Sequence, residues 1–118
     1  MKMAIDTESS IRTAPAGRET DAAVTRALGR PIETRHRHYT ADTPDGWAAM
    51  REEVAWLLAR SEGFEVGFCG GEWVATVHFY NAVRRGTLDG SAPTMPLAVA
   101  RLVLLVSLRE SEQKEKAE

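Results

Sequence analysis

The stretch "FEVGFCGGEWVATVHF" constrains this chain more than any other. Gly70 and Gly71 stand between two runs of alternating apolar and polar residues, and a glycine pair suits the positive-φ positions of a two-residue hairpin turn. Such a turn leaves one register: Cys69 opposite Glu72, Phe68 opposite Trp73, Val66 opposite Ala75, and Phe64 opposite Val77. Side chains alternate along a strand, so Phe64, Val66, Phe68, Trp73, Ala75, Val77 and Phe79 share one apolar face. The reverse face carries Glu65, Gly67, Cys69, Glu72, Val74, Thr76, His78 and Tyr80, a mixed surface open to water or to a partner.

Helices are predicted on both sides of the hairpin in sequence. "AAVTRAL" is capped by Asp21 and stopped by Gly29 and Pro31. A second helix has Thr43 as N-cap, Pro44 in the first position and Gly63 as terminator, with Trp47, Met50, Val54, Leu57 and Leu58 on the expected core face. Trp56 falls about 180° around that helix from Trp47, to be covered by the N-terminal arm or exposed as a contact anchor. The last helix opens at Thr94, accepts Pro96 in its first turn and runs at least to Leu108. Leu97, Ala100, Leu104 and Leu108 form one apolar stripe, and Val99, Leu102, Val103 and Val106 a second on the opposite side. A helix apolar on two sides needs two neighbours; the second is either the first helix or an identical helix of another subunit. "AVRRGTLDG" fits an edge strand or a loop. The expectation is an α+β fold, a small α/β/α sandwich with an antiparallel hairpin-based sheet packed by helices in the order α-α-β-β-(β)-α. Residues 20–110 form its single domain, between a flexible N-terminal arm at 1–19 and a polar tail at 111–118.

Composition narrows the class. The chain has 118 residues, a formal charge of −2 and 43% hydrophobic content, which fits one folded domain without global attraction to nucleic acid or anionic membrane. A single cysteine, Cys69, precludes an internal disulfide and suits a reducing cytoplasm. The N-terminus has no apolar segment of the signal-peptide kind. "PLAVARLVLLVSL" is broken by Arg101 and falls short of the roughly 20 residues that span a bilayer, so it is expected to be a buried helix.

The segment "ETRHRHYTADTPDGW" and the rest of the chain offer four candidate chemistries. His36 and His38, with His78, Asp42 or Cys69, contain zinc-ligating types, but no pair has a standard ligand spacing, and no metal or cofactor is expected. Arg35, His36, Arg37 and His38, joined by Arg84 and Arg85, form a candidate phosphate-binding strip beside Tyr39, against the plainer reading of a solvated connector. Glu52 and Glu53 are neighbours on a helix and point apart, and no catalytic motif occurs, so no enzymatic activity is expected. Leftover apolar surface is the fourth feature: Trp56, Val99, Leu102, Val103 and Val106 are the candidate protein interface, with self-association through the last helix.

"DAAVTRALG", "YTADTPDGWAAMREEVAWLLAR", "GFEVGFCGGEWVATVHF" and "TMPLAVARLVLLVSL", in that order, resemble the phage ABA-sandwich domain family, small proteins of phages and prophages. The likeness spans roughly residues 21 to 108, with "GRPIE" standing where that family usually has a Trp. It implies an α/β/α layered fold and a phage or prophage setting, and no reaction. The function expected is that of a non-enzymatic accessory protein that binds, and thereby antagonises, a host defence protein. A small nucleotide or nucleic acid held on the basic strip is the alternative. A third is a regulator resembling HicB-type antitoxins, from the rhythm of "GEWVATVHF", a Gly-containing loop and a helix.

Overall fold

The computed structural model describes residues 5–30, 37–80 and 85–117. Helices α1 (Glu8–Arg12), α2 (Arg18–Ala27) and α3 (Pro44–Leu58) precede strands β1 (Gly63–Cys69), β2 (Glu72–Tyr80) and β3 (Arg85–Ala92), and α4 (Met95–Ala117) closes the chain. The sheet is antiparallel in the order β1-β2-β3. The α+β class is therefore the one expected.

The hairpin follows its glycines. Gly70 and Gly71 take φ of 62° and 83°, and the register from Phe64↔Val77 to Cys69↔Glu72 is the one the turn dictates. Strand β3, ambiguous in sequence because it holds Gly86, Asp89 and Gly90 and little β-branched character, pairs along β2 from Tyr80↔Arg85 to Trp73↔Ala92. Gly90 makes that pairing compatible with the helix above it. A Cβ there would lie 2.7 Å from both Ala98 O and Leu102 N, so α4 rests directly on the β3 backbone.

Helix α4 is the centre of the core. Its contacts with the sheet fall on β3 and β2, while α1, α2 and α3 pack on its other sides. Leu97 to Ala100 and Leu102 to Val106 are all buried, so the element covered on both sides is α4 rather than the sheet. On the sheet's reverse face, Val74, Thr76 and His78 are half-buried and Glu65, Gly67, Cys69 and Glu72 are exposed. Of the described residues, no helix is long and apolar enough to cross a membrane.

Several expectations change. The N-terminal segment from residue 5 onward is not a free arm. Thr7 and Ser10 form a reciprocal capping box that starts α1, and Ile11 and Ala14 are buried. Arg101, which interrupts the apolar run of α4, donates to Ala14 O from Nε (3.1 Å) and Nη2 (2.8 Å) and to Ser91 O from Nη1 (2.7 Å), clamping that segment to β3. Burial pushes its guanidinium pKa down from the usual value, with the charge of Glu72 opposing. The polar tail is also helical through residue 117, since Glu, Gln, Lys and Ala favour continuation of α4. Gly63 opens β1, and α3 ends earlier, at Leu58.

Helix α3 is rotated from its expected setting. Gly46, Ala49, Met50, Glu53 and Leu57 are buried, whereas Trp47 is 43% and Leu58 52% exposed. Gly46 explains the rotation, because a Cβ there would sit 1.8 Å from Ala41 O. The smallest residue faces the closest approach, and the larger Trp47 is turned outward, where its Nε1 donates to Asp42 Oδ1 at 2.8 Å.

Candidate functional site

Two regions carry chemistry that the core alone does not demand: a polar cluster where α2, the connector and α3 meet, and an apolar surface on α3 and β1.

The polar cluster begins with Asp21, predicted as an N-cap. The N-cap of α2 is in fact Gly17, four residues earlier, so Asp21 lies in the first turn and is buried. There its Oδ1 accepts from the backbone N–H and the hydroxyl of Thr40, both at 2.8 Å, and the Thr40 hydroxyl accepts from Gly17 N–H at 2.9 Å. This chain of bonds ties the N-terminal linker, α2 and the connector into one unit, satisfying backbone groups that would otherwise be buried unpaired. Tyr39, buried beside it, donates to Glu52 Oε2 at 3.3 Å. Burial and the Glu52 carboxylate raise its phenol from 10.0 to about 12.

Glu52 gathers the local cations. Arg30 Nε lies 2.7 Å from its Oε2, and the Arg37 guanidinium meets its Oε1. Arg37, one of the residues of the expected phosphate strip, is thus turned toward a carboxylate of its own chain. His38 is exposed, with Nδ1 4.0 Å from Asp21 Oδ2. Arg35, His36 and Arg84 lie outside the described residues, and Arg85 is placed only as the first residue of β3. Among the described residues of the strip, Arg37 therefore pairs with the Glu52 carboxylate and His38 stands beside Asp21. No group of three or more His, Cys, Asp or Glu side chains suited to a metal ion occurs among the described residues.

Glu53 is the residue that sequence reasoning passed over. It is 0% exposed, lies in the buried stripe of α3 between Met50 and Leu57, and among the described residues neither carboxyl oxygen has a hydrogen-bond partner. Desolvation, reinforced by Asp21 and Glu52, raises its pKa well above the ordinary carboxyl range. No exposed atom is available to a substrate. Its position one residue from Glu52 was the signal: with Glu52 turned to Arg30 and Arg37, Glu53 turns inward by about 100°.

The expected interface residues divide in two. Val99, Leu102, Val103 and Val106 are fully buried within a single chain, because α2 and its companions supply the second neighbour that α4 needed. The motive for self-association through α4 disappears with that. Trp56 is half-buried and packs against the core. The guanidinium of Arg60 lies 4.0 Å from its ring centroid and is held there by Glu110 of α4 at 3.0 Å.

The surface that does stay open is on α3 and β1. Trp47, Ala48, Ala55 and Leu58 are exposed on α3 with Val54 half-buried among them, and Arg51 is the charged residue of that face. On β1, Phe68 is 61% exposed, packed edge-on against Trp73 with centroids 5.3 Å apart. Two surface clefts of about 270 Å³ flank Leu108 on α4, and neither is lined by Arg37 or His38. No protein-family model and no curated protein matches the chain.

Proposed function

We propose that this chain is a non-enzymatic binding protein whose partner is another protein, docked on the outer face of α3. The observation that carries this reading is the exposure of Trp47 and Leu58 on a face otherwise made of Ala48, Arg51, Val54 and Ala55. Large aromatic and aliphatic side chains beside small ones and a lone arginine make the composition of a contact surface rather than of a solvated helix face. The resemblance to phage ABA-sandwich proteins adds the setting: a phage or prophage accessory factor that antagonises a host defence component in the host cytoplasm.

The rival reading, capture of a small nucleotide or nucleic acid on the basic strip, is weakened by the pairing of Arg37 with Glu52. The test is affinity capture from host lysate with the native chain and with Leu58→Asp, followed by titration of the purified partner in a calorimeter. The reading expects a saturable complex that Leu58→Asp weakens by about tenfold or more. Retention of no protein, or equal binding by the variant, would overturn it. A nucleotide of defined stoichiometry in native mass spectrometry would favour the rival.

A further inference from the structure

The outer edge of β1 has the properties of a self-complementary joint. We propose that a second copy of this chain pairs with β1 antiparallel about a two-fold axis through Val66, giving a six-stranded sheet of order β3-β2-β1-β1-β2-β3. This rests on a different observation from the α3 face and holds or fails independently of it.

Strand β1 is an edge, bonded only to β2 among the described strands. None of its residues is fully buried, although Phe64, Val66 and Phe68 point to the core face, because α4 sits over β3 and β2. Two common protections of an edge, proline and lysine, are absent from β1. Its one charged side chain, Glu65, lies on the opposite face and is engaged by His78 Nε2 at 2.9 Å.

Hydrogen-bond parity then selects the axis. A two-residue turn at Gly70-Gly71 makes Cys69 and Glu72 a hydrogen-bonded pair, so Cys69, Gly67, Glu65 and Gly63 bond inward to β2. The N–H and C=O groups of Phe64, Val66 and Phe68 are the ones that face outward. An axis at Val66, the midpoint of Gly63–Cys69, sets Val66 against its own copy and Phe64 against Phe68 of the second copy. All three outward residues thereby fall in hydrogen-bonding pairs, with their side chains on the apolar face. Charge agrees with this register, since Glu65 comes opposite Gly67 of the second copy instead of another carboxylate.

Gly67 supplies a test that leaves the monomer intact, because a Cβ there meets no atom within 4 Å and its φ is not positive. Sedimentation equilibrium of the full chain up to on the order of 100 μM is expected to show a monomer–dimer equilibrium. Gly67→Glu sets two like-charge pairs across the joint and is expected to raise the dissociation constant about tenfold, while Gly67→Lys, facing Glu65, lowers it. In a Cys69→Ser background, Glu65→Cys with Gly67→Cys is expected to cross-link into a covalent dimer under mild oxidation, as a non-hydrogen-bonded cross-strand pair has Cα atoms about 4.5 Å apart. A monomer across that concentration range, or a dimer indifferent to both charges at residue 67, would overturn the proposal. So would a dimer in which the paired cysteines close no intermolecular disulfide.

Discussion

Replacing Glu53 by Leu should stabilise the protein, and by more as the pH rises. The side chain is fully buried, and its two carboxyl oxygens have no hydrogen-bond partner among the described residues. A buried polar group without a partner costs about 1–3 kcal/mol, which Glu53→Leu removes at any pH if the similar apolar volume is accommodated. Ionisation adds the pH dependence. The folded-state pKa lies well above the unfolded value near 4.5, first through desolvation and then through Asp21 and Glu52. Between those two values the native state binds a proton that the unfolded state has lost, so native stability falls with rising pH by about 1.4 kcal/mol per unit. The loss levels off once the pH passes the folded pKa; below about 4.5 it is absent. Half of the unfolded carboxyls are already ionised at pH 4.5, so the stability gap between Glu53→Leu and the native chain should widen by about 1.0 kcal/mol from pH 4.5 to 5.5. With a urea m-value of about 1–3 kcal/mol/M, that step moves the difference in midpoints by roughly 0.3–1.0 M. Urea unfolding at pH 4.5, 5.5 and 6.5 reads it directly, with Glu53→Gln as the control that abolishes titration but keeps a buried polar group. Parallel pH profiles for all three proteins, or a Leu variant less stable at every pH, would refute the reasoning and show that Glu53 has a partner.

Other perturbations follow from single contacts. Asp21→Ala leaves the N–H and hydroxyl of Thr40 without their acceptor, and thermal or urea unfolding should register a loss of about 2–4 kcal/mol. Gly90→Ala drives a methyl group into the α4 backbone, and a destabilisation of about 1–3 kcal/mol is expected, with faster amide exchange in both β3 and α4. Ultraviolet titration should find the Tyr39 phenol ionising near 12, and Tyr39→Phe should delete that transition. Arg101→Met should speed amide exchange around Ala14 more than in the β1–β2 hairpin, since its guanidinium binds the Ala14 carbonyl.

How much could be read in advance depends on how local the governing force is. The hairpin register needed only the turn geometry of Gly70 and Gly71, and the starts of α3 and α4 needed only Thr43, Pro44 and Thr94, whose side chains or backbone act within a few residues. Strand β3 was hidden because Gly86, Asp89 and Gly90 disfavour a strand locally, and Gly90 is suited to it only by the proximity of α4.

The site was less legible. Hydrophobicity alone placed Trp47, Val54 and Leu58 inward, but the fit of Gly46 against Ala41 turned the helix, leaving Trp47 and Leu58 exposed and Val54 half-buried. The basic strip could be seen as charge, but not that Arg37 would close on Glu52, a partner on a different element. Val99, Leu102, Val103 and Val106 read as a second apolar side; whether another subunit or the chain's own helices covers it is decided by long-range packing. By itself the sequence determined the α+β class, the hairpin and its register, because turn chemistry and side-chain alternation act over neighbouring residues. Only the tertiary structure decided which apolar faces are core and which are open, because burial depends on which elements compete for the same surface.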